Sequence, residues 1–435
     1  MKTAAGAFLA GATSRLLPAS IPFRFFGAAV GYHLLAWLAL LAGAERLPRF
    51  AGGFGWPLAA LHLVTLGVLI MTAIGASLQL LPVATRQSVR STRWPAAIWW
   101  LYTPGVAAVA LGMGNGIPVL LGAGAVAVAL ALIAYAVLLA ANLRGARGMP
   151  AVVVHGWAAL GCLVVVLATA LSLAFASLGA PSLDRSTALA LHVAFAAYGF
   201  MGLLAFGLSA ILVPMFALSA APDERQSIRS CALAVLALAL AALAAFGVAP
   251  QVLRIVAIAL GGIALALHLR LMLAALRTGM RRELGRSFTL VRFAWASLVA
   301  SLAAALGIVL DVPITGLHTL FGLTLIVGWL LTFALGILQR ILPFLAAMHA
   351  ARGAKRPPTP SSLSSQRPLA IHFHCHLAAL AGLALAVVAD SPVLGQIAAA
   401  VGALGAAVFG AFFVILLQRM RGSAPAASPG PAPVA

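Results

Sequence analysis

Residues 62–83 read HLVTLGVLIMTAIGASLQLLPV. The stretch is apolar throughout and about as long as a helix needs to cross a bilayer core of roughly 30 Å. Its punctuation is Gly67, Gly75 and Pro82. Two further stretches carry the same punctuation. LHVAFAAYGFMGLLAFGLSAILVPMF, residues 191–216, has Gly199, Gly207 and Pro214. GLHTLFGLTLIVGWLLTFALGILQRILPF, residues 316–344, has Gly328, Gly336 and Pro343. In all three, eight residues separate the glycines and seven more reach the proline, and the triplets stand 132 and 129 residues apart. A period of this size marks a repeated unit.

The rest of the chain fills in around these stretches. Of 435 residues, 63% are hydrophobic and 8% charged, against about 25% charged in a soluble domain. That excludes a soluble enzyme. About twelve spans are expected, near 22–44, 57–83, 95–114, 118–142, 153–179, 187–217, 228–247, 251–275, 288–309, 313–347, 369–389 and 393–418. The three punctuated stretches are the second, sixth and tenth. The chain therefore reads as an all-α membrane protein of three pseudo-repeated four-helix arcs, near 22–150, 151–286 and 287–419. Residues 1–21 read as a cytoplasmic tail, 420–435 as a disordered one, and 351–368 as a mobile linker.

The net charge of +20 does not indicate nucleic acid, because the basic residues are dispersed among short loops. Loops after even-numbered spans carry Arg86, Arg90 and Arg93; Arg144 and Arg147; Arg225 and Arg229; Arg277, Arg281, Arg282 and Arg286; Arg352, Lys355, Arg356 and Arg367. The ends add Lys2, Arg15, Arg419 and Arg421. Loops after odd-numbered spans carry only Arg46, Arg49 and Arg185, with Glu45, Asp184, Asp311 and Asp390. Positive loops stay cytoplasmic, so both termini are expected inside a bacterial inner membrane. Cys162, Cys231 and Cys375 lie in or beside apolar segments and imply no disulfide framework.

Histidines within spans are costly and point to function. His62, His192 and His318 each fall about five residues into the second, sixth and tenth spans, so a shared depth near the outer face is expected. Neutral imidazole ligates haem iron and copper. A second cluster, His372, His374, Cys375 and His376, opens the eleventh span and could bind copper or zinc, with His349 across the loop. On a helix His372 and His376 share a face while His374 points elsewhere. His33 and His268 read as isolated histidines that bond a neighbouring carbonyl. Gln79 and Gln339 are expected to bond helix to helix, and Arg46, Arg49, Arg185 and Arg254 are the cations available at the outer side.

Twelve spans in three arcs, with histidines in the outer halves of the second, sixth and tenth, resemble subunit I of the haem-copper oxidase superfamily. Cytochrome oxidases, nitric oxide reductases and, more remotely, NnrS-type proteins belong there. The resemblance implies one b-type haem between His62 and His318, and a copper-ligand position at His192. It also implies a histidine pair in the seventh span, yet CALAVLALALAALAAFGVAP, residues 231–250, contains none. The residue two before His318 is Gly316 rather than a second histidine, and no tyrosine lies four after His192. An oxygen-reducing site is therefore not expected. The expected role is electron transfer or the handling of nitric oxide, with a redox partner or quinone. Two other readings stay open: a twelve-helix secondary transporter, which would ordinarily repeat in halves of six, and a degenerate relative that binds nothing.

Overall fold

The computed structural model describes residues 17–87, 91–281, 283–351 and 357–423. Lys2, Arg15, Arg90, Arg282, Arg352, Lys355, Arg356 and most of both expected tails lie outside these. Among the described residues, twelve helices are long and apolar enough to cross a membrane. They are α1 (Ser20–Ala42), α2 (Trp56–Ala84), α3 (Arg93–Asn115), α4 (Pro118–Arg144), α5 (Pro150–Ala176) and α6 (Arg185–Ala217). Then follow α7 (Glu224–Ala245), α8 (Pro250–Thr278), α9 (Gly285–Val309), α10 (Leu317–Ala350), α11 (Gln366–Val388) and α12 (Pro392–Gly422). Pro57, Pro118, Pro150, Pro250 and Pro392 each sit in a first turn, where a missing N–H costs nothing.

The packing has a threefold plan. Within each arc the first helix packs on the second: α1 on α2, α5 on α6, α9 on α10. The third and fourth form a hairpin: α3 with α4, α7 with α8, α11 with α12. The fourth helix joins the next arc through α4–α5, α8–α9 and α12–α1, which closes the ring. Arg49 and Asp390 pair across that last seam. The hydrogen-bonded, positively charged Arg49 holds the Asp390 carboxyl below the usual carboxylate range. At the centre α2, α6 and α10 run side by side in one direction and touch one another. In their most apolar windows 67%, 83% and 61% of residues are buried, against 44% at most elsewhere. Lipid-facing side chains such as Val119 and Val164 are the complement, exposed on the rim helices.

Apolar attraction does not hold helices together in lipid, so close approach must. The repeated glycines supply it. A Cβ on Gly67 would stand 2.6 Å from Tyr32 of α1; one on Gly199, 2.9 Å from Cys162 of α5; one on Gly328, 3.0 Å from Ser297 of α9. The second glycines repeat the arrangement: Gly75 meets Phe25 and Phe26, Gly207 meets His155, and Gly336 meets the Ser287 carbonyl. Each pair thus seats a central helix on the first helix of its own arc.

The three central helices share a further feature. Each widens to i→i+5 turns around its first glycine, over Leu63–Ile70, Ala194–Met201 and Leu323–Leu331. Such turns free carbonyls from the α ladder and cluster at functional sites. Side chains take up two of those carbonyls: the Tyr102 hydroxyl of α3 donates to Leu66 O at 3.0 Å, and Thr332 donates to Val327 O at 2.7 Å.

Two expectations need correction. The tenth helix begins at Leu317, with Gly316 at φ 73° before it, so Pro313 belongs to the preceding loop rather than to the first turn. The described part of the 351–368 linker is held in place. Pro360–Leu363 forms a turn capped by Thr359, Leu363 is buried, and Arg419 donates to the Ser364 carbonyl at 2.8 Å.

Candidate functional site

The central trio is closed over one half and open over the other. From Gly67 to Ala84, Leu208 to Ala217 and Gly328 to Gln339 every residue is buried. Over the N-terminal stretches of the same helices many residues are only half-buried, among them Leu61, His62, Thr65, Leu66, His192, Phe195, Tyr198, Phe321 and Thr324. A Cβ on Gly322 would meet nothing within 4 Å. The funnel is this less covered N-terminal half of the trio, which ends at the widened turns.

His62 and His192 face this funnel from α2 and α6. The His62 Nδ1–H donates to the Leu58 carbonyl one turn back, at 3.0 Å. The His192 Nδ1 lies 3.4 Å from Thr169 Oγ1 on α5. That hydroxyl donates to Val165 O and Val166 O, so it accepts from the ring. In both histidines the proton is thereby fixed on Nδ1, and Nε2 keeps its lone pair. Metal-bound histidines are ordinarily held this way by a second partner.

His318 does not share their depth. It is the second residue of α10, whereas His62 and His192 are the seventh and eighth of α2 and α6. Five residues of helix are about 7.5 Å, and His318 is accordingly exposed at the funnel mouth. Measured from the first glycine, the three histidines stand five, seven and ten residues upstream, a drift that marks the same displacement. Asp184 caps α6 by accepting from Ser186 N and Thr187 N. Bonds from the Ser186 hydroxyl and the Thr187 N–H hold its carboxyl below the usual range.

The eleventh-span cluster divides as helical geometry requires. His372 and His376 point inward, each at most 2% exposed, while His374 is exposed. Cys375 packs towards Gly405 of α12, and His349 lies edge-on to Phe23 of α1. The inward pair instead meets His33, so His33 is not the isolated core histidine its sequence context suggests. No local signal could have shown this, since α1 and α11 meet only through closure of the ring. His268 is buried flat against Phe206, centroids 3.8 Å apart. Gln339 reaches His372 across the helices, as expected, but the Gln79 amide has no hydrogen-bond partner. Arg46, Arg185 and Arg254 are exposed, and Arg49 is committed to Asp390.

No protein-family model matches the chain, and no curated protein matches it. The fold is nevertheless a known one. A haem-copper terminal oxidase, solved as a dimer by cryo-electron microscopy, superposes with a TM-score of 0.55 over 95% of this chain and 85% of that one. The two are 12% identical, so the likeness establishes the twelve-helix subunit I-like architecture.

Proposed function

We propose that this chain is a membrane redox protein that binds one b-type haem in the funnel between α2, α6 and α10. The observation that carries the reading is the state of His62. Its Nδ1 is committed to the Leu58 carbonyl and its Nε2 is uncommitted, inside the only partly filled half of an otherwise closed trio. An imidazole so prepared fits haem iron. Bound there, the haem would supply a one-electron couple. The protein's own part is to hold the ring tautomer through Leu58, to keep water from the closed half, and to leave the mouth open to a redox partner or quinone.

Two residues are candidates to hold the haem together with His62. The resemblance implies His318, whose side chain at the mouth would have to reach inward. The geometry favours His192, half-buried on the neighbouring α6 with its own Nε2 available. Reduction of oxygen at a haem-copper pair is disfavoured because α7 (Glu224–Ala245) carries no histidine. Electron transfer, or handling of nitric oxide at the one haem, suits the remaining ligands. The loop charges favour a funnel opening to the outside of a bacterial inner membrane, with both termini cytoplasmic. A transporter of two six-helix halves is disfavoured by the threefold plan.

The test is a reduced-minus-oxidised visible spectrum of the protein purified in mild detergent after expression with ample haem. A b-type band is expected, and His62→Ala should abolish it. Loss in His192→Ala with retention in His318→Ala assigns the second haem-holding residue to α6; the reverse assigns it to α10. A colourless, monodisperse wild type would overturn the proposal.

A further inference from the structure

A second histidine site lies outside the funnel, where α1 meets α11. His33, His372 and His376 each present one ring nitrogen, and the three nitrogens lie within 4.8 Å of one another. The residues are at most 2% exposed. Each ring leaves one buried nitrogen without a hydrogen-bond partner: Nδ1 of His33, Nε2 of His372 and Nδ1 of His376. Three unpaired polar atoms inside a membrane bundle are expensive.

The opposite side of every ring is tied. The Trp37 indole N–H donates to His33 Nε2 at 3.1 Å. Trp37 itself is wedged so tightly that a Cβ on Gly402 of α12 would fall 2.3 Å from its ring. Thr332 gives its proton to Val327 O and so accepts from His376 Nε2–H at 2.7 Å, leaving His376 Nδ1 with its lone pair. The Gln339 amide nitrogen stands 3.3 Å from His372 Nδ1. With its oxygen turned to that nitrogen it leaves the His372 Nε2 lone pair inward. For His376, and for His372 once the Gln339 amide is turned, this is the second layer of partners that a metal-ligating histidine has.

We propose that His33, His372 and His376 form a three-coordinate site for one Cu(I) ion, separate from the funnel. The donor set is three imidazoles with no carboxylate or thiolate, which suits copper. The surroundings select the oxidation state. The cost of placing an ion in a low-dielectric interior rises with the square of its charge, and no anionic ligand offsets a divalent ion here. A monovalent, imidazole-loving ion satisfies both conditions. Trigonal bonds of about 2.0 Å place the nitrogens roughly 3.5 Å apart, so the rings need close by little more than an ångström. Because Trp37 donates to His33 Nε2, ligation by neutral His33 through Nδ1 moves the ring proton from Nδ1 to Nε2 and turns the ring away from Trp37.

The test uses the full chain in detergent, stripped with chelator, then titrated with Cu(I) against a chromophoric Cu(I) chelator. One tightly held Cu(I) per chain is expected, with Zn(II) held far more weakly. His372→Ala, His376→Ala and His33→Gln should each lower Cu(I) affinity at least tenfold. His374→Ala, on the same helix but exposed, should retain it. His62→Ala and His192→Ala should also retain it, and the His33 and His376 variants should retain any haem band, so this proposal and the haem reading fail separately. A monodisperse wild type that holds no Cu(I), or Cu(I) retention unchanged in His33→Gln and His376→Ala, would overturn it.

Discussion

Replacing Gly67 by alanine tests the packing that builds the site. The new methyl would stand 2.6 Å from both Cβ and Cγ of Tyr32. Those atoms sit next to the α1 backbone, so no rotation of the tyrosine ring removes the clash. Relief requires α1 and α2 to separate, and overpacking of this kind costs about 1–3 kcal/mol. Alanine also gains up to about 1 kcal/mol of helix propensity over glycine, which must be subtracted. Gly31→Ala is the matched control: it lies on exposed α1 surface with nothing within 4 Å of the new methyl. The difference between the two variants therefore isolates the clash, about 1–3 kcal/mol. Gly199→Ala and Gly328→Ala, with nearest atoms at 2.9 and 3.0 Å, should fall between. The assay is unfolding of the purified variants in mixed detergent micelles, followed by tryptophan fluorescence. If Gly67→Ala unfolds at the same denaturing-detergent fraction as Gly31→Ala, the glycines do not set the helix spacing and the repeat has another cause.

Tyr102→Phe removes the donor to the part-buried Leu66 O; a loss of about 1 kcal/mol should appear in the same unfolding assay. Asp184→Asn tests the α6 cap. Since the folded carboxyl is held below its ordinary range, its stabilisation should be complete at neutral pH and lost as pH falls through the folded-state value. The variant's unfolding should lack that acid-side dependence. Arg419→Ala releases the carbonyls of Ser362, Leu363 and Ser364, and limited proteolysis should then cut faster near residues 357–365, with the helices unaffected. Gly402→Ala pushes on Trp37; Cu(I) affinity should fall although no ligand has changed.

Much of this architecture was legible before any coordinate. Span number followed from apolar run length, and the three-arc plan from Gly67, Gly75 and Pro82 recurring with identical spacing. The glycines were readable because close helix contact in lipid demands a particular residue at a particular interval. The site was less legible. The depth of His318 is hidden in the sequence because the tenth apolar run starts at residue 313, while the chain delays the helix to Leu317 through Gly316. His374 was separable from its neighbours by helical phase alone, but the ligand that replaces it, His33, is more than 330 residues away along the chain. Only closure of the ring brings α1 against α11. The widened turns had no sequence signature, since their hydrogen bonds are decided by the fit of each central helix to its arc.

Those widened turns divide each central helix into two halves with independent phase. One extra residue in the ladder rotates everything before it by about 100° relative to everything after it. The closed halves are keyed by Gly75, Gly207 and Gly336 against α1, α5 and α9 and cannot turn. The funnel halves can be re-aimed by a single insertion or deletion within 63–70, 194–201 or 323–331 without disturbing that key. Deleting Val64 should swing His62 off the funnel while the assembly still forms. A fold arranged in this way can change what its mouth binds by counting residues rather than by exchanging them.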